Sequence, residues 1–143
     1  MINSLKEAQE ELNKIPNINR GGCAISALAL YRWIMKNENI KYRRLHFVFS
    51  FSTEEELKEN KKRKKSNEIG ESCSHVALYY KGRYRDSEGE HPYLKRYQLR
   101  CDEDFVIKAI NNEKAGWAKG FDRKHIRTIS KKLKIDLSDL KIF

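Results

Sequence analysis

Cys23 has the surroundings of a reactive thiol. It follows Gly21 and Gly22 and opens a run, Cys23 to about Lys36, in which Ala24, Ile25, Ala27, Leu28, Leu30, Tyr31, Ile34 and Met35 leave little polar surface. The spacing predicts a helix buried on several sides, with Cys23 at its start. Unpaired N–H groups and aligned peptide dipoles at a helix N-terminus favour negative charge, and the thiolate is the nucleophilic form of cysteine. Two residues without Cβ let the chain turn sharply and leave room for a carbonyl beside the sulfur, and the Cys23 N–H can supply half of an oxyanion hole.

A thiolate nucleophile needs a proton shuttle, held in its useful tautomer by a third group. His75 opens the segment HVALYY, and Lys81-Gly82 then turn the chain into RYRDSEG. With a two-residue turn, Tyr80 opposes Arg83, Ala77 opposes Asp86 and His75 opposes Glu88. Opposed residues and residues two apart on one strand share a face, so His75, Asp86 and Glu88 are expected together. A four-residue turn keeps that parity, and a three-residue turn breaks it for Asp86. Asp86 lies diagonal to His75, which makes it the expected orienting acid with Glu88 as the spare.

The remaining elements must carry these residues. Ser4 and Glu7 have capping-box spacing, and Leu5, Ala8, Leu12 and Ile15 recur at helical intervals until Pro16. Asn17 to Gly22 reads as a loop. Leu45, Phe47, Phe49 and Phe51 alternate with His46, Val48 and Ser50 as in a strand. From Thr53 to about Gly70 the composition turns to Glu, Lys, Asn and Ser, which predicts a solvated excursion, partly helical at best. A further extended piece covers about Tyr93 to Cys101. Asp102, Glu103 and Asp104 then place negative charge at the head of a helix carrying Phe105, Val106, Ala109 and Ile110. A last helix from about Asp122 carries Ile126, Ile129 and Leu133, and both Trp33 and Trp117 are expected to fill the core. No internal repeat is visible. The expectation is one α+β domain spanning residues 1–143, with the basic excursion at about 53–70.

The 143 residues carry a formal charge of +10. That balance suits contact with nucleic acid, an anionic surface or an acidic partner, although an abundance of Lys, Asn and Ile also follows from an AT-rich coding bias. Three cysteines suit no closed disulfide framework, and Lys6, Glu7, Glu10 and Glu11 interrupt any apolar leader, so a cytoplasmic protein without a membrane span is expected. Cys73, His75, His91 and Cys101 have the ligand types of a zinc site but not its spacing, and neither metal nor cofactor is expected.

The segments NRGGCAISALALYRWI and SHVALYYKGRYRDSEG together resemble the nucleophile helix and histidine hairpin of papain-like cysteine hydrolases, above all the compact bacterial cell-wall peptidase and amidase type. The resemblance covers roughly Asn17 to Gly89. It implies a Cys23-His75-Asp86 triad acting on a peptide, isopeptide, amide or ester, by hydrolysis or acyl transfer. Many such enzymes carry a Gln shortly before the nucleophile to complete the oxyanion hole, and here only Asn17 and Asn19 are offered. Ala24 after the nucleophile fits the cell-wall type, whose members are usually exported. The competing expectation is a non-catalytic basic domain that contacts nucleic acid or an acidic protein through Lys61, Lys62, Arg63, Lys64 and Lys65.

Overall fold

The computed structural model describes residues 2–40, 44–62, 73–93, 97–112 and 121–141. Arg63, Lys64, Lys65 and Trp117 lie outside these residues. Among the described residues the chain forms five helices and a five-stranded antiparallel sheet, a mixed α+β architecture. The order is α1 (Leu5–Asn13), α2 (Cys23–Asn37), β1 (Leu45–Phe51), α3 (Glu54–Lys62), β2 (His75–Tyr80), β3 (Arg83–Asp86), β4 (Gly89–His91), β5 (Tyr97–Cys101), α4 (Glu103–Ile110) and α5 (Arg123–Leu133). No helix among them is long and apolar enough to cross a membrane.

Short polar side chains start the helices. Ser4 accepts from the Glu7 N–H at α1, Asp102 from Phe105 at α4 and Asp122 from Lys124 at α5, each satisfying a backbone donor that the helix leaves unpaired. Thr53 does the same for Glu56 at α3. The excursion is therefore helical over the nine residues that follow Thr53, with Lys61 and Lys62 exposed at the end of the helix. α2 differs from these helices. Its N-cap is Gly22, with no side-chain cap, so the first N–H groups, beginning with that of Cys23, are left available.

The strands run in the order β4-β3-β2-β1-β5. Phe47, Phe49 and Phe51 of β1, Val76, Leu78 and Tyr80 of β2, and Leu99 of β5 form one buried face. Ala24, Ile25, Ala27, Leu28, Leu30, Trp33 and Ile34 of α2 belong to the same core, joined by Ile129 and Leu133 of α5. Lys81 and Gly82 have φ of 53° and 72°, the two positive values that a two-residue hairpin turn matched to strand twist requires. Tyr80 accordingly pairs with Arg83, Tyr79 with Tyr84 and Leu78 with Arg85.

Beyond Asp86 the chain departs from the simple hairpin. It turns at Ser87-Glu88 into β4, with Asp86 paired to Gly89 and Tyr84 to His91. Glu88 is thus a turn residue and not the partner of His75. The extended piece before Cys101 is a strand from Tyr97 onward.

Candidate active site

Cys23 is the first residue of α2 and is partly buried. The chain reaches it through Gly21, at φ 90°, and Gly22, where a Cβ would lie 2.7 Å from the Ile18 carbonyl oxygen and 2.8 Å from Phe121 Cε2. Gly21 provides the turn and Gly22 the close approach. Together they bring the helix start against the loop from Ile18 and against Phe121.

His75 is the first residue of β2. Its face of the sheet also carries Asp86 and Tyr84 of β3 and His91 of β4, as the register requires. His75 Nε2 lies 3.0 Å from Asp86 Oδ2, and the Cys23 side chain is near enough to the ring to raise its proton affinity. With Nε2 committed to Asp86, Nδ1 is the nitrogen left for the thiol. Burial works against the charged imidazole. The hydrogen bonds and charges of Asp86 and Cys23 outweigh it and raise the His75 pKa to about 9.

Asp86 is 6% exposed and fully engaged. Oδ2 meets His75, while Oδ1 accepts from the Glu88 N–H at 2.9 Å and lies 3.1 Å from His91 Nε2. Its own carbonyl accepts from Gln9 Nε2 of α1 at 2.8 Å. Burial alone would raise its pKa, but the two histidines hold the carboxylate below its usual range. By sequence His91 stands out only as a zinc ligand type, and Gln9 not at all; the fold brings both to Asp86. The turn-parity argument that placed Asp86, applied once more across Ser87-Glu88, would have found His91. No sequence signal marks Gln9.

The other expected residues have separate roles. Asn19 Nδ2 donates to Glu88 Oε1 at 3.1 Å, and its Oδ1 accepts from Ser87 Oγ at 2.9 Å. This clips the loop before Cys23 to the turn after Asp86. Asn17 is exposed at φ 61° in that same loop. The Cys73 thiol donates to the His75 carbonyl at 3.0 Å; burial pushes its pKa well up, and a thiolate at Cys23 adds to the effect. Cys101 is buried on the core face, with its thiol turned to the Phe47 carbonyl. Among the described residues no group of three or more Cys, His, Asp or Glu side chains could hold a metal ion. Ser50 pairs with His75 across β1 and β2, and its buried hydroxyl has no partner among the described residues.

No protein-family model, curated protein or solved structure matches this chain.

Proposed function

We propose that this protein is a papain-like cysteine hydrolase or acyltransferase that cleaves an amide, isopeptide or ester bond through Cys23, His75 and Asp86. One observation carries the reading: a single imidazole lies between a buried, fully hydrogen-bonded carboxylate and a cysteine at the head of a helix whose first N–H groups are uncapped. The chain order Cys, His, acid agrees with that of the resembling hydrolases.

In the first half-reaction His75 takes the thiol proton and the Cys23 sulfur attacks the carbonyl carbon. The oxygen gains the displaced electron pair and is met by the Cys23 N–H. His75 then returns the proton to the departing amine or alcohol as the C–N or C–O bond breaks, leaving a thioester. In the second half-reaction water or an acceptor amine loses a proton to His75, attacks the thioester and releases the thiolate. Asp86 stays ionised throughout and stabilises the imidazolium. Asn19, engaged with Ser87 and Glu88, acts in this scheme by fixing the loop ahead of the nucleophile.

Alkylation located by mass spectrometry tests the proposal. Iodoacetamide should modify Cys23 well ahead of Cys73 and Cys101, and the rate should persist as the pH is lowered to about 6. His75→Ala should remove the reactivity at low pH. Incubation with p-nitrophenyl acetate should leave an acetyl group on Cys23. A Cys23 no more reactive than free cysteine at about pH 6, in the unaltered chain, would overturn the reading.

A further inference from the structure

The sheet face that carries His75 continues away from the site into a second concavity of about 250 Å³, walled by His46, Tyr79, Tyr84 and Gln98 with Arg44 and Arg100 at its rim. That volume lies just below the range of drug-sized ligand pockets and suits one ring with one charged group. Three aromatic rings are arranged around it. His46 and Tyr79 stack at 4.9 Å with an interplanar angle of 19°, and Tyr84 meets Tyr79 edge-on at 5.2 Å.

Tyr84 also closes one side of the concavity. β3 and β5 are separated in the sheet by β2 and β1, roughly 14 Å at the usual strand spacing. Tyr84 Oη nevertheless donates to Gln98 Oε1 at 3.2 Å. The tyrosine therefore lies across the face, over Ala77 and Val48, which are 0% and 2% exposed.

The charges in this concavity have one sign. Arg44 and Arg100 are exposed, and neither forms an ion pair among the described residues. Asp86, the acid that β3 contributes to this face, is taken by His75 and His91. Burial, and then the two guanidinium groups, disfavour the charged form of His46. Two unpaired forked donors next to stacked rings provide what a phosphate attached to a planar base needs. An acidic peptide would use the arginines but leave the ring wall without a counterpart.

We infer that this concavity binds a nucleotide unit, its phosphate held by Arg44 and Arg100 and its base set against the His46, Tyr79 and Tyr84 rings. The unit is either a free mononucleotide or one residue of a single strand. The site does not depend on Cys23 chemistry, so Cys23→Ala should bind as the unaltered protein does.

Calorimetry with dTMP and fluorescence anisotropy with a labelled thymidine dodecamer test the inference at low salt. The Arg44→Gln/Arg100→Gln variant, with an unchanged melting temperature, should bind at least tenfold more weakly. For the strand its salt slope should fall by about 0.7, the share of the one phosphate that the two arginines hold. Lys108→Gln on α4 is the control and should bind normally. Binding of both probes identifies a free-nucleotide site, and binding of the dodecamer alone identifies a strand site. In the unaltered chain, saturating ligand should raise the titration midpoint of the His46 ring, because the phosphate offsets the arginine charge. Absence of binding for both probes overturns the proposal. So does a loss equal in the Lys108 control, which would indicate diffuse charge attraction, or a His46 midpoint that does not move.

Discussion

Asp86 serves two histidines with one carboxylate, each through a different oxygen. His75 reaches Oδ2 and owes its raised proton affinity to that contact and to Cys23, whereas His91 lies on Oδ1 beside the Glu88 N–H. Asp86→Asn keeps the shape and removes the charge. A hydrogen bond to a charged group is worth roughly 1.5–3 kcal/mol, so the alkylation rate of Cys23 at about pH 6 should fall by about ten- to hundredfold. The His75 titration midpoint should fall from about 9 in the same variant, and ring resonances followed against pH would show it. His91→Gln should leave most of both properties intact, because His75 retains its own oxygen of the carboxylate. A His91 variant as impaired as Asp86→Asn would mean that the two contacts act as one unit.

Two glycines at element boundaries illustrate different constraints. Gly82 holds a positive φ in the hairpin turn with open space around it, so Gly82→Ala should cost about 1–2 kcal/mol from the backbone alone. Gly22 has an ordinary φ of −101°, but a methyl group there meets the Ile18 carbonyl and the Phe121 ring. Gly22→Ala should cost about 1–3 kcal/mol by overpacking, and because α2 must shift it should also slow Cys23 alkylation, which Gly82→Ala should not do. Denaturant midpoints with parallel labelling separate the two. These boundaries account for much of what was legible beforehand. Ser4, Asp102 and Asp122 announced their helices by type and position, and Lys81-Gly82 set a register from which the shared face of His75 and Asp86 followed. The β4 turn escaped because the hairpin register was carried on to Glu88, opposite His75, and His91 escaped with it. Asn19 was read as an oxyanion donor because chain order says nothing of Ser87 and Glu88, which the fold brings beside it. Gln9 was invisible for the same reason: its partner is a backbone carbonyl on another element.

Across the whole molecule, the charge on His75 couples the site to stability. The imidazole has a folded pKa of about 9 against an ordinary 6.5, so its contribution is fully present below 6.5 and is lost as the pH rises through about 9. The melting temperature should therefore decline over that interval, and His75→Gln should start lower and decline less; parallel curves would remove the linkage. Asp86, held low, contributes above its ordinary range and loses that contribution as the pH falls through its folded value. The C-terminal half of α2 is anchored separately. Arg32 reaches both carboxylate oxygens of Asp139, the Asp136 carbonyl and Glu103, tying the segment after α5 to the helix. Arg32→Ala should lower stability across the range in which His75 titrates, without altering that titration, and the loss should shrink as acid protonates Asp139. The hairpin that joins His75 to Asp86 spans only 11 positions and can close in microseconds. The sulfur joins them only when α2 docks from far along the chain, a contact delayed by loop-closure entropy. In this scheme the nucleophile is armed by tertiary folding itself, so a nascent or misfolded copy carries no more than a common cysteine. Appearance of the fast-alkylating thiol then serves as a clock for the docking of α2.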